Sequence, residues 1–126
     1  MNLENFFRTL IFFEYFLMFV GIILAIIFPE FIGDASNEGP LHIWEIIILI
    51  SGAIYFINLY FLLRYKDLSR KVYVVLTILF IVSNIFIPDT YLTFTRLEIL
   101  MDSLAFFVSG GIFTMIYFSE IKKKFV

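Results

Sequence analysis

Four long runs of apolar residues, separated by short polar segments, are the feature that most constrains how this chain can fold. Each run is close to the length of about 20 residues with which an α-helix crosses the hydrocarbon core of a bilayer. The runs are continuous, whereas half-buried strands alternate apolar and polar residues. The sequence therefore predicts an all-α integral membrane protein, an up-down four-helix bundle that forms one transmembrane domain over residues 1–126. The predicted spans are approximately 7–28, 41–63, 71–88 and 96–119.

Composition excludes several other classes of protein. Hydrophobic residues make up 62% of the chain and charged residues 16%, against about 25% charged in a typical globular chain. A freely soluble domain of this size could not hide that much apolar surface, and a disordered chain would not carry it. The absence of cysteine excludes disulfides and thiolate metal sites. A net charge of −2 gives no basic footprint for nucleic acid. We expect no nucleic-acid partner and no cofactor.

The basic residues predict an orientation in the membrane. All but one of the nine lie near the ends of spans that would share one side of the bilayer. Because lysine and arginine are retained on the cytoplasmic side, both termini and the segment between the second and third spans are predicted to be cytoplasmic. The simplest setting is a bacterial inner (plasma) membrane. Tyr60, Tyr65, Tyr73 and Tyr117 would then mark the inner interface. The basic residues of that side are Arg8, Arg64, Lys66, Arg70, Lys71, Lys122, Lys123 and Lys124.

Glu14 interrupts the first apolar run, where a charge is costly and needs an explanation. It shares a helical stripe with Gly21 and Ala25, so it is predicted to face the other helices. One interpretation is structural: a hydrogen bond to Asn58 or Tyr55 would join the first two helices. The other is functional: a carboxyl inside a membrane can carry a proton or a cation.

Small residues in the first, second and fourth spans predict close helix packing, because lipid provides no hydrophobic drive for helices to associate. The glycines concerned are Gly21, Gly52, Gly110 and Gly111.

A second polar group is predicted at the outer end of the bundle. Asn84 on the third span is predicted to lie at a depth in the bilayer similar to that of this group. One member of the group, Glu98, is also explained by a capping box with Thr95. Arg96 could neutralise Asp102 or Glu45, which would order this end. Alternatively, the histidine and the acids could bind a cation, but their spacing matches no metal motif and no metal is expected. The group consists of His42, Glu45, Arg96, Glu98 and Asp102.

No set of residues for nucleophilic, phosphate or metal chemistry is present, so an enzyme is not expected. The favoured interpretation is a non-enzymatic membrane protein that acts through protein–protein contacts in the bilayer, as an accessory or immunity-type subunit. Its partners would be lipid and either a membrane protein or further copies of itself. The alternative is a small proton- or cation-coupled transporter, dimeric, that uses Glu14 or the Glu45 and Asp102 pair.

Overall fold

The computed structural model describes residues 2–27, 43–86 and 96–126. Within these ranges the chain forms four α-helices and no strand, which confirms the all-α prediction. The third helix begins earlier than the apolar run does, because the polar residues before that run also adopt helical structure. The helices are α1 (Leu3–Ile27), α2 (Ile43–Leu63), α3 (Asp67–Phe86) and α4 (Arg96–Phe118), and a short 3₁₀ helix, Glu120–Lys124, follows.

Two of the helices are long and apolar enough to cross a membrane. Among the described residues these stretches are Leu3–Leu24 in α1 and Leu100–Phe118 in α4. Leu49–Leu63 in α2 is a shorter apolar stretch. The sequence predicted four spans; among the described helices two meet the length and composition of a span, and membrane insertion itself stays a prediction.

Neighbouring helices run antiparallel. Helix α1 packs against α2 and α4, and α3 packs against the same two helices. Contacts from α1 to α4 join Glu4 to the C-terminal segment and Glu14 to Ser109, so residue numbers rise along one helix as they fall along the other. Helices α2 and α3 are joined by a tight turn in which Tyr65 adopts a left-handed backbone conformation (φ 54°).

One end of the bundle is tightly packed, and we call it the basic end. It contains the start of α1, the α2–α3 turn and the 3₁₀ helix, and with them the eight basic residues named above. The last residue is held by the turn: the Val126 N–H donates to the Tyr65 carbonyl at 3.0 Å, and the Asp67 N–H donates to the Val126 carbonyl at 3.1 Å. Phe125 packs edge-on against Phe7. Among the described residues, the largest fully buried side chains are Phe7, Ile11, Leu59, Leu62, Tyr73, Ile112 and Ile116.

Two expectations about packing are wrong. Tyr73 is fully buried rather than placed at an interface, since its ring inserts between α1, α2 and α4. Close approach is found at Gly111, where an added Cβ would lie 3.3 Å from a Leu10 methyl group. At Gly21, Gly52 and Gly110 an added Cβ would meet nothing within 4 Å, so these glycines do not set helix spacing.

Candidate functional site

The carboxyl group of Glu14 is the centre of a buried hydrogen-bonded cluster. Glu14 is only 4% exposed to solvent. The Tyr55 hydroxyl donates to Oε1, and the Ser109 hydroxyl donates to the same oxygen at 2.7 Å. The Tyr73 hydroxyl lies 3.4 Å from Oε2 and 3.5 Å from Oε1. One carboxyl thus links α1 to each of the other three helices.

The two tyrosines of this cluster stand side by side. Their ring centroids are 5.5 Å apart, and the Tyr55 ring meets Phe80 edge-on at 5.6 Å. Because a buried hydroxyl needs a hydrogen-bond partner, Glu14 also satisfies groups that would otherwise be costly to bury. The aromatic rings and the carboxyl are therefore parts of one packed unit.

Asn58, which the sequence offered as a partner of Glu14, lies elsewhere. Its Nδ2 donates to the Ser69 carbonyl at 2.9 Å and so joins α2 to the first turn of α3. The reason is its depth: Asn58 is three residues beyond Tyr55 along α2, about 4.5 Å nearer the basic end at the helical rise. Ser109 and Tyr73 were not anticipated as partners. The hydroxyl of Ser109 in the middle of α4 was nevertheless a usable signal for such a partner.

A cavity of about 350 Å³ adjoins the Glu14 cluster. Its walls come from all four helices and are mostly apolar. Gly21, Ile81, Asp102 and Phe106 belong to the lining and are exposed, so they mark its mouth. The full lining is Glu14, Leu17, Met18, Gly21, Tyr55, Thr77, Phe80, Ile81, Met101, Asp102, Ala105, Phe106 and Ser109.

The cavity brings together two acids that the sequence assigned to separate layers. Asp102 precedes Ser109 by seven residues on α4, which corresponds to about 10 Å along the helix. Glu14 therefore lies at the buried end of the cavity and Asp102 at its mouth. Among the lining residues that the structure describes, none carries a positive charge.

The rest of the predicted outer group cannot be placed. His42 lies outside the described residues, and so do the side chains of Glu45, Asn84, Arg96 and Glu98. The salt-bridged network and the cation site at this end therefore stay predictions. In the described part of the chain, no three histidine or acidic residues are grouped so that they could hold a metal ion.

The geometry of Glu14 defines what the site can do chemically. Oε1 is occupied by two hydroxyl donors, whereas among the described residues Oε2 has only the long contact with Tyr73. A carboxylate accepts several hydrogen bonds and favours a cationic donor as its partner. The group is therefore suited to hold a proton or to bind a cation that enters the cavity.

Fold and site together define an all-helical protein in the described residues, with a buried carboxyl at the wall of a cavity that is open on one side. No protein-family model, curated protein or solved structure matches the chain. The function is therefore argued from the geometry of this site.

Proposed function

We propose that the protein is a multi-pass protein of a bacterial inner membrane, in which all four helices cross the bilayer and the basic end faces the cytoplasm. The apolar stretches of α1 and α4 and the exposed aromatic rings along them support insertion. The orientation rests on the concentration of lysine and arginine at one end of the bundle.

Reporter fusions test this topology. A fusion after Val126, and a second one placed in the α2–α3 turn after Lys66, should be active only with a reporter that works in the cytoplasm. A fusion placed between α1 and α2 should be active only with a reporter that works in the periplasm. Periplasmic activity at either basic-end position would overturn the four-span arrangement.

For the function itself, we propose a small proton- or cation-coupled transporter that is not an enzyme and works as a dimer. The observation that carries this proposal is the cavity that reaches Glu14, because a carboxyl that served only to join helices would need no adjoining space. Intramembrane acids that face a cavity are typical of ion and proton pathways. Because of this cavity, we favour transport over the protein–protein contacts that the sequence favoured.

Flux in proteoliposomes tests transport. Vesicles that contain the protein and a trapped pH-sensitive dye would be given a pH gradient, and Na⁺ or K⁺ would be added outside with the membrane potential clamped. The native protein should dissipate the gradient, and Glu14→Gln should not, because an amide cannot exchange the proton. Glu120→Gln is the matched control, since it removes an exposed acid at the basic end. Equal flux in all three proteins, or none in the native one, would refute the proposal.

Protein–protein contact in the bilayer is the second candidate. The observation in its favour is the exposure of two phenylalanine rings on α4, Phe107 at 79% and Phe118 at 78%. A photo-crosslinking residue at position 107 would recover one defined membrane protein, or a second copy of this chain, if this surface is an interface. Crosslinks to lipid alone would count against it.

A further inference from the structure

We propose that the cavity binds a protonated primary amine with an apolar body, in which the ammonium group meets Glu14 and the body fills the space toward the mouth. This inference rests on the site of the proposed function and names the chemical class of its ligand. The argument uses the size of the cavity, the nature of its walls and the hydrogen bonding of Glu14.

The size of the cavity favours a small organic occupant over a bare inorganic ion. About 350 Å³ falls within the range of pockets that take small organic molecules. A metal or alkali ion would leave most of that volume to water, and although Glu14, Tyr55, Thr77, Asp102 and Ser109 offer polar atoms, most of the wall is apolar. An organic ligand fills the same space with apolar contacts.

The walls fit the body of such a ligand. Tyr55, Phe80 and Phe106 present aromatic rings, and Met18 and Met101 add flexible apolar side chains that adapt to irregular shapes. Aromatic faces also attract a nearby cation, so the same walls that hold an apolar body tolerate a positive charge beside it.

The hydrogen bonding at Glu14 selects the head group. With Oε1 already accepting from Tyr55 and Ser109, a ligand meets Oε2, which requires a donor. A primary ammonium supplies three N–H donors and a positive charge, and a charge-assisted bond is the strongest kind available there. A quaternary ammonium has the charge without a donor, and an alcohol has a donor without the charge.

Four probes of similar shape separate these contributions: benzylamine, benzyltrimethylammonium, benzyl alcohol and benzoate. Each would be titrated into the purified full chain in detergent by isothermal calorimetry, with the shift in unfolding temperature as a second readout. We expect benzylamine to bind at least about tenfold more tightly than the other three, the loss corresponding to one charge-assisted hydrogen bond. Glu14→Gln should weaken benzylamine by a similar factor, and Glu120→Gln should leave it unchanged.

A second variant keeps the test decisive if Glu14→Gln does not fold. Gly21 lines the cavity with open space beside it, so Gly21→Leu should fill the site and abolish benzylamine binding while Glu14 stays intact. Equal binding of benzyl alcohol would show an apolar cavity without charge recognition, and equal binding of benzyltrimethylammonium would show recognition without hydrogen bonding. Either result overturns the proposal. Benzylamine binding without ion flux would refute only the transport function, whereas ion flux without benzylamine binding would refute only the ligand class.

Discussion

Replacing Glu14 by leucine should destabilise the protein by about 1–2 kcal/mol, because the change leaves the hydroxyls of Tyr55 and Ser109 buried without their acceptor. Interhelical hydrogen bonds in bilayers average about 0.6 kcal/mol and reach about 1.7 kcal/mol. Two bonds of average strength give about 1.2 kcal/mol, and one average bond with one strong bond gives about 2.3 kcal/mol. The longer contact from Tyr73 adds little, since that hydroxyl also lies 3.4 Å from the Ser109 carbonyl. Glu14→Gln keeps an acceptor oxygen for the two donors, so it should lose less than half as much.

The measurement is reversible unfolding in mixed micelles with rising mole fraction of dodecyl sulfate, followed by circular dichroism. Thr114→Val is the control: its hydroxyl bonds to the Gly110 carbonyl within α4, so its loss should change the free energy of unfolding very little. If Glu14→Leu were as stable as the native protein, the hydroxyl cluster would contribute nothing to helix association, and the structural half of the argument would fall.

Four further changes probe other parts of the bundle. Gly21→Ala should raise the free energy of unfolding by up to about 1 kcal/mol through helix propensity, whereas Gly111→Ala should be close to neutral because its new methyl group meets a neighbour; thermal unfolding compares the two. Asn58→Leu should cost about 1 kcal/mol by removing the bond to the start of α3, and unchanged stability would contradict that role. The hydrogen bond from Lys71 holds the pKa of Asp67 below its usual value. Stability from this pair is therefore full above the ordinary aspartate pKa and is lost as pH falls through the lower folded value, and a titration of unfolding temperature on Asp67→Asn should lack that acid dependence.

The helices were predictable because each is encoded locally, by an apolar run with polar ends. The inward orientation of Glu14 followed from its stripe with Gly21, and Tyr55 was among its predicted partners. The roles of Tyr73 and Ser109 were not predictable in the same way, because both depend on the axial positions of α3 and α4 relative to α1. A tyrosine near a span end is usually at an interface, and only tertiary packing places Tyr73 inside.

The cavity was the feature least predictable from the sequence, because it is the space that side chains of four packed helices leave unfilled. Gly21 was interpreted as a contact between helices, yet it lies beside an opening. Asp102 was assigned to a separate outer group, since its distance from Glu14 in sequence gives no indication that both face the same volume.

The three partners of Glu14 also impose an order on how the chain is made. They follow it by 41, 59 and 95 residues along the sequence. At synthesis rates of about 5–20 residues per second, roughly 5–20 seconds pass between the emergence of Glu14 and that of Ser109. During that interval α1 would have to lodge in a membrane with an acidic side chain whose partners do not yet exist, at a cost of about 2.5–3.5 kcal/mol if it is charged. If α1 is inserted as proposed, the nascent first helix would therefore have to wait, either uncharged or sheltered by the insertion machinery, until the fourth helix is made.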